Sequence, residues 1–285
     1  MKKILIAVTA VVLLQTAGAS PEMIGQYGFN KYEEGEIVLL YGDKVNVRDQ
    51  ASVNGKVVAQ LPIASEVNII SVDEGNYLTQ NGYREEWYKV EYTGSDGKTG
   101  EGYIWGGLIS KTAYIGDIMG NGKKITVLVG VTSIKEYNLY INVRLVQNGK
   151  IIAESGDLPA FINPLFDTSV LGHTVAIEII HNAVFTPAAK PIVIGFDYGA
   201  CDCPYGEVIV LYDGKKLYYV TTAMGVGNEM FSQDFEIIYP DGKKLKNTIK
   251  IDTTTIELDE EGNEVSNKKK SESYEWTGSG TKLVK

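Results

Sequence analysis

The chain has 285 residues, of which 44% are hydrophobic and 22% are charged, and its formal net charge is −9. This apolar content excludes wholesale disorder, and the acidic balance opposes binding to nucleic-acid phosphates, so we expect no nucleic-acid partner. Because the chain contains only two cysteines, it cannot build a disulfide framework, and hydrophobic packing must hold the fold together.

The N-terminus has the pattern of a secretory signal peptide. Two lysines precede an apolar run over residues 4–14, and Ala17-Gly18-Ala19 forms a small-residue cleavage site. This run is shorter than the about 20 residues that a spanning helix needs, and no later apolar stretch reaches that length. We therefore predict a signal peptide over residues 1–19 and a linker over residues 20–35. The product is expected to be exported to the periplasm or the extracellular space, without a transmembrane segment.

The remaining sequence is typical of an all-β protein. Short runs of β-branched and aromatic residues are separated by turn residues, and residues 139–146 alternate between apolar and polar side chains. Of the rest, only residues 159–171 have features of a short helix, and the charge-rich residues 257–275 are predicted as an exposed hairpin or a mobile segment. Five Asx-Gly pairs predict type I′ hairpin turns, with positive φ at both residues: Asp96-Gly97, Asn121-Gly122, Asn148-Gly149, Asp213-Gly214 and Asp241-Gly242.

An ordered set of motifs in residues 36–111 carries a resemblance to a known family. The motifs are, in order, Val45–Asp49, Ser52–Val58, Gln60-Leu61-Pro62, Trp87–Val90 and Gly102–Ile109. In this order and spacing they resemble the bacterial SH3 domains (SH3b), which are small β-barrels appended to exported bacterial proteins. The resemblance implies an SH3-like barrel over residues 36–111. The strand and turn pattern of residues 112–285 predicts a larger, sandwich-like antiparallel domain of unknown type.

The resemblance also implies a binding module, because SH3b domains often recognise cell-wall peptides. A peptide can lie in an aromatic-lined groove or add itself to a sheet edge. Residues 73–86 form a polar segment, which we interpret as a loop that either shapes the ligand site or is ordinary surface. The candidate ligand-binding residues are aromatic, with a role in core packing as the alternative for each: Tyr41, Tyr83, Trp87, Tyr88, Tyr103 and Trp105.

Strand alternation makes a specific prediction about two of these aromatic residues. Side chains of consecutive strand residues point to opposite faces of a sheet. Trp87 therefore shares a face with Lys89, and Tyr88 shares the other face with Val90. We therefore expect that Trp87 and Tyr88 are not buried alike.

The cysteines and histidines of the larger domain do not form a convincing catalytic motif. The cysteine peptidases often tethered to SH3b domains place their nucleophile in an Asp-Cys-Ser/Gly motif at the start of a helix, ahead of the catalytic histidine. Here Pro204 follows Asp202-Cys203, strand-like residues come next, and both His173 and His181 precede the cysteines. Cys201 and Cys203 form either a strained loop disulfide or two free thiols.

No segment has a clear metal-site or cofactor motif. If residues 174–180 form one strand, His173 and His181 lie about 26 Å apart and cannot bind the same ion. Residues 117–122 resemble a calcium loop, but Met119 occupies a ligand position, which favours a hairpin turn instead. Nucleotide-binding and serine-hydrolase motifs do not occur in the sequence. We therefore predict no metal and no cofactor.

Together these patterns favour a non-catalytic protein of the bacterial envelope. Its SH3b-like domain is expected to bind peptide or peptidoglycan, or else another envelope protein. The alternative is a cell-wall hydrolase with its catalytic site in residues 113–285, which a pocket joining a cysteine to a histidine would favour.

Overall fold

The computed structural model describes residues 32–135, 138–160, 174–197, 205–227 and 230–284, which form three antiparallel β-sheets. Apart from a short 3₁₀ turn, Gly106–Leu108, every regular element in these ranges is a strand. The predicted all-β class is therefore confirmed. In these same ranges, no helix has both the length and the hydrophobicity required to cross a lipid bilayer.

The first sheet is built from the residues of the predicted barrel, in the spatial order β1-β4-β5-β6-β2-β3. Side chains of its edge strands, such as Val38 and Leu61, share one buried cluster with Tyr88 and Ile104 of its central strands. The sheet must curl around this cluster for its two edges to meet there. Its strands are β1 (Ile37–Leu39), β2 (Val45–Arg48), β3 (Val57–Leu61), β4 (Glu66–Gln80), β5 (Tyr83–Thr93) and β6 (Thr99–Trp105).

The connection between β4 and β5 differs from the predicted polar loop over residues 73–86. Both strands continue through that segment and are joined by Asn81-Gly82, whose φ angles are 52° and 78°, as in a type I′ turn. The tip of this hairpin lies on the second sheet, where the Ile134 backbone nitrogen donates to the Asn81 carbonyl at 3.0 Å. A Cβ on Gly82 would overlap the Ile134 carbonyl, so both the φ angle and the close approach require glycine.

The second sheet has the strand order β10-β9-β8-β7, and β11 also pairs with β9. At the β9–β10 turn, Asn148 and Gly149 have φ angles of 52° and 68°, which confirms the type I′ prediction there. At the β7–β8 turn, positive φ occurs at Gly120 and Gly122 and not at Asn121, so that turn is not of type I′. The strands are β7 (Thr112–Gly116), β8 (Ile125–Lys135), β9 (Asn138–Gln147), β10 (Lys150–Glu154) and β11 (Leu158–Ala160).

The third sheet contains eight strands, β12 to β19, in chain order. The turns at Asp213-Gly214 and Asp241-Gly242 join consecutive strands of this sheet, but, as at Asp96-Gly97, only the glycine has positive φ. Type I′ geometry was therefore wrong for these three pairs. The strands are β12 (Thr174–Ile179), β13 (Lys190–Asp197), β14 (Tyr205–Tyr212), β15 (Leu217–Gly227), β16 (Phe231–Ile238), β17 (Thr248–Leu258), β18 (Glu264–Trp276) and β19 (Thr281–Val284).

The structure tests the predictions made for residues 257–275 and for part of residues 159–171. The charge-rich residues 257–275 form the end of β17, a turn and most of β18, which is the hairpin alternative. The predicted short helix is wrong at its first two residues, because Pro159 and Ala160 belong to β11 and pair with β9. The rest of that segment, residues 161–171, lies outside the described residues, as does the predicted signal peptide.

One hydrophobic core joins all three sheets. Val127 and Val143 of the second sheet and Ile192 and Val208 of the third belong to the same buried cluster, so these two sheets pack face to face. Trp87 of the first sheet belongs to this cluster as well. The first sheet is thus packed on both of its faces, one against its own core and one against the rest of the protein.

This packing overturns the prediction about Trp87 and Tyr88. Their side chains do point to opposite faces of β5, because Trp87 lies in the shared core and Tyr88 in the core of the first sheet. Both are nevertheless buried, with exposures of 4% and 0%. Alternation determines which residues share a face, but the second and third sheets cover the face that would otherwise be exposed.

A buried ion pair lies where the first sheet continues into the second. The Lys111 ammonium lies 2.8 Å from the Glu85 carboxylate, and their side chains are 1% and 10% exposed. The Tyr83 hydroxyl donates to the same carboxylate at 2.5 Å, and the Lys111 nitrogen lies 4.7 Å from the centre of the Tyr32 ring. Burial lowers the pKa of Lys111, but Glu85 and Tyr83 outweigh that effect and raise the pKa above its usual value.

We predict that Lys111→Met destabilises the protein by about 3–5 kcal/mol, because it leaves the buried Glu85 carboxylate without its cation. Removing both charges, in Lys111→Met with Glu85→Leu, is expected to restore most of this loss. Urea unfolding followed by tryptophan fluorescence measures both free energies. Lys98→Met, at an exposed turn, is the control and should change the stability by less than about 0.5 kcal/mol. A Lys111→Met protein as stable as the wild type would contradict this account.

Candidate functional site

A groove lies on the surface where the first and second sheets meet. It consists of two adjoining depressions of about 200 and 320 Å³, and we call it the aromatic groove. Trp87, Arg48 and Val53 line its first depression, whereas Tyr83, Arg144 and Val131 line its second. Four residues line both depressions and make the groove continuous: Asp43, Gln80, Trp105 and Leu108.

Four of the six predicted ligand-binding residues line this groove: Tyr41, Tyr83, Trp87 and Trp105. Their exposures lie between 4% and 7%, so the rings form the walls of the groove and do not offer open stacking platforms. The other two do not line it. Tyr88 is fully buried in the core of the first sheet, and the half-buried Tyr103 lies opposite Arg48 in the pairing of β6 with β2.

The position of Trp105, between the two depressions, is fixed by three contacts. Its ring nitrogen donates to the Glu85 backbone carbonyl at 3.0 Å. The ring centre of Tyr83 lies 6.1 Å away, at an interplanar angle of 52°. Gly107 lies against the Trp105 ring so closely that a Cβ there would overlap it. The motif that carries the SH3b resemblance thus shapes the centre of the groove.

Arg144 brings the second sheet into the groove. Its guanidinium carbon lies 4.4 Å from the centre of the Tyr41 ring, and its Nη1 donates to the Tyr41 backbone carbonyl at 3.0 Å. Its Nε lies 3.4 Å from the Glu154 carboxylate, which helps to orient the side chain. Burial raises the pKa of Tyr41 to about 12, although Arg144 opposes this rise, so the phenol stays neutral at pH 7.

The charge of the groove is opposite to that of the whole chain. Its charged lining residues are Lys44, Arg48 and Arg144, with Asp43 as the acidic member, whereas the chain has a net charge of −9. Arg48 is held in place because its Nη1 donates to the Gly55 carbonyl at 2.6 Å. The arginine side chains of the lining are suited to binding a carboxylate-bearing ligand.

Sequence reasoning missed two residues that shape the groove. Gln80 comes from the segment interpreted as a loop, and Arg144 comes from the larger domain, which had been considered apart from the barrel. The Asn81-Gly82 pair is the signal that predicts a hairpin and would have placed Gln80 at a strand end. For Arg144, the alternating pattern of β9 predicts a polar position but contains no information about which sheet lies beside it.

Most of the residues considered for catalysis lie outside the described residues, namely Cys201, Cys203 and His173. The described histidine, His181, follows β12 and lines a separate cleft. In the described ranges, no group of three or more His, Cys, Asp and Glu side chains converges as metal ligands. Asp117 accepts a hydrogen bond from the Asn121 backbone nitrogen at 3.0 Å, which is consistent with the turn interpretation of this segment.

Comparison with known proteins gives no relative on which to base an assignment. No protein-family model matches the chain, and searches of curated proteins and of solved structures give no match. An interpretation of function therefore depends on the geometry of the aromatic groove and on the resemblance of residues 36–111 to SH3b domains.

We predict that Gly107→Ala displaces the Trp105 ring, because the new methyl group would occupy its position. The expected result is a red-shifted tryptophan emission and a loss of about 1–3 kcal/mol in stability, as for other overpacked sites. Gly280→Ala is a matched control, since a Cβ at Gly280 meets nothing within 4 Å. Emission spectra and thermal unfolding of both variants test the prediction, and an unchanged spectrum for Gly107→Ala would contradict it.

Proposed function

We propose that this chain is an exported, non-catalytic protein of the bacterial envelope that binds peptide, free or as part of peptidoglycan, in the aromatic groove. The groove carries this proposal, because it combines aromatic walls with arginines in an otherwise acidic protein. Two features of the sequence support it. Residues 36–111 resemble SH3b domains, which often recognise cell-wall peptides, and the N-terminus has the pattern of a signal peptide.

The lining offers a distinct interaction for each part of a peptide. Apolar side chains can pack against the wall that Trp87 and Trp105 form, where contact with rigid aromatic rings costs little side-chain entropy. The exposed amide of Gln80 can exchange hydrogen bonds with a peptide backbone. Carboxylates of the ligand can pair with Arg48 at one end and with Arg144 at the other.

This proposal gives the larger domain a part in binding. Arg144, Val131 and Thr132 of the second sheet line one depression of the groove, so the first sheet alone supplies an incomplete site. The hairpin formed by β4 and β5 joins the two halves, because its tip is hydrogen-bonded to β8 through Asn81. Binding measurements should therefore use the full mature chain and not the isolated barrel segment.

We predict that Gln80→Glu weakens binding to purified peptidoglycan by about fivefold, or roughly 1 kcal/mol, because it adds a negative charge where the two depressions meet, which repels ligand carboxylates paired with Arg48 or Arg144. Gln233→Glu makes the same charge change in the third sheet and serves as the control. Co-sedimentation with insoluble peptidoglycan, quantified at several protein concentrations, gives the dissociation constants. The difference between the variants is expected to shrink at high salt.

Two results would contradict the proposed function. Equal retention of Gln80→Glu and Gln233→Glu would place binding outside the aromatic groove, and failure of the wild type to bind several wall chemistries would reject wall binding altogether. The supernatants should also be analysed for released muropeptides by mass spectrometry. Their appearance would favour the hydrolase alternative over a non-catalytic role.

A further inference from the structure

A second cleft opens on the face of the third sheet that is turned away from the shared core. On β12, Ile177 and Ile179 belong to that core, so Glu178 between them points to the opposite face. On β14, Val208 belongs to the core, and the preceding Glu207 likewise points away from it. Both glutamates line a cleft of about 560 Å³, which we call the acidic cleft.

Beside Glu207, Gly195 on β13 contributes no side chain to this face of the sheet. Gly195 is the register partner of both Ala176 on β12 and Glu207 on β14, so it lies between the two strands that carry the glutamates. A Cβ at this glycine would meet nothing within 4 Å, which leaves free space beside Glu207. The facing wall is formed by Phe235 and Tyr239 from β16 and the residues after it.

Among the described residues, no lysine or arginine lines the acidic cleft, and its basic lining residue is His181. The ammonium group of Lys190, at the start of β13, donates a hydrogen bond to the His181 backbone carbonyl at 2.8 Å. Burial, together with repulsion from Glu178, raises the pKa of Glu207 to about 7, and burial also raises the pKa of Glu178. A cation in the cleft would relieve this repulsion and offset the cost of burying charge.

The hydroxyl of Tyr239 is a further polar group in the acidic cleft, and it lacks a hydrogen-bond partner among the described residues. Its oxygen is also buried. Glu178, Glu207 and Tyr239 all line the cleft. Burial raises the pKa of Tyr239, and the charges of Glu207 and Glu178 raise it further. Leaving a buried hydroxyl without a hydrogen bond is unfavourable, so a ligand group that forms a hydrogen bond with it gains affinity.

We infer that the acidic cleft binds the primary ammonium group of a small organic amine or of a lysine-type side chain. Glu178 and Glu207 supply the charge partners, the Tyr239 hydroxyl accepts one N–H, and the Phe235 ring packs against the methylene chain. A divalent metal ion fits less well, because its usual sites use more oxygen ligands than two carboxylates and a phenol provide. The volume of the cleft also suits an organic molecule rather than a bare ion.

The test uses the full mature chain at pH 8 in isothermal titration calorimetry. The probes are 1,5-diaminopentane, as a free amine, and Nα-acetyl-lysine amide, as a side-chain ammonium, with 1-pentanol as the uncharged comparison. We expect at least one of the two amines to bind and the alcohol not to bind. Glu178→Gln combined with Glu207→Gln should weaken amine binding by more than tenfold, and Tyr239→Phe by about threefold.

The matched controls are Glu91→Gln, an exposed glutamate of the first sheet, and Tyr219→Phe, a tyrosine that is 38% exposed. Both should bind amine as the wild type does, and circular dichroism confirms that each variant is folded. Amine binding that persists in the double glutamate variant would overturn the inference, as would binding of neither amine. Displacement of a bound amine by calcium chloride at equimolar concentration would also overturn it, in favour of a metal site.

A pH-dependent prediction tests the electrostatics of the acidic cleft without any ligand. The pKa of Glu207 is near 4.5 in the unfolded chain and about 7 in the folded protein, so stability falls as the pH rises between these values. The other titratable groups that line the cleft are Glu178, His181 and Tyr239. Glu207→Gln is therefore expected to raise Tm by roughly 3 °C at pH 8 and to leave it unchanged at pH 4. Equal shifts at both pH values would contradict the prediction.

Discussion

The arrangement of the first two sheets depends on the buried pair of Lys111 and Glu85. A charge at this depth is tolerated only with its partner in place, and here the Glu85 carboxylate also accepts the Tyr83 hydroxyl. Glu85 belongs to β5, and Lys111 directly precedes β7, so the pair fixes the first sheet against the strand that begins the second. Any sliding of one sheet over the other would separate the two charges.

This constraint gives the aromatic groove a defined shape. Its walls come from both sheets, and Trp105, where the two depressions meet, is hydrogen-bonded to the backbone of Glu85 itself. Tyr83 joins the same network through its hydroxyl while its ring lines the groove. The residues that hold the sheets together are thus neighbours of those that line the groove, and the site is organised before a ligand arrives.

Local patterns in the sequence predicted where strands occur, but they did not predict which other parts of the chain pack against those strands. The alternation over residues 139–146 corresponds to β9, and Asn148-Gly149 forms the expected type I′ turn, since both depend on neighbouring residues alone. The joint burial of Trp87 and Tyr88 was missed because it depends on the second and third sheets covering β5. The position of Arg144 beside Tyr41 was missed for the same reason, because the two residues are 103 positions apart in the chain.

The groove and the acidic cleft differ in charge, and this difference follows from their positions. Arg48 and Arg144 extend from strands at the surface where two sheets meet, and their long side chains line the groove. Glu178 and Glu207 instead lie on one face of a single sheet, Glu178 exposed and Glu207 partly buried, and no described lysine or arginine lines the cleft beside them. A small anion is therefore favoured only in the aromatic groove, and a small cation only in the acidic cleft. A zwitterionic peptide has a carboxylate suited to the aromatic groove and an ammonium group suited to the acidic cleft. Removing one charged group of the peptide at a time therefore distinguishes binding at the groove from binding at the cleft.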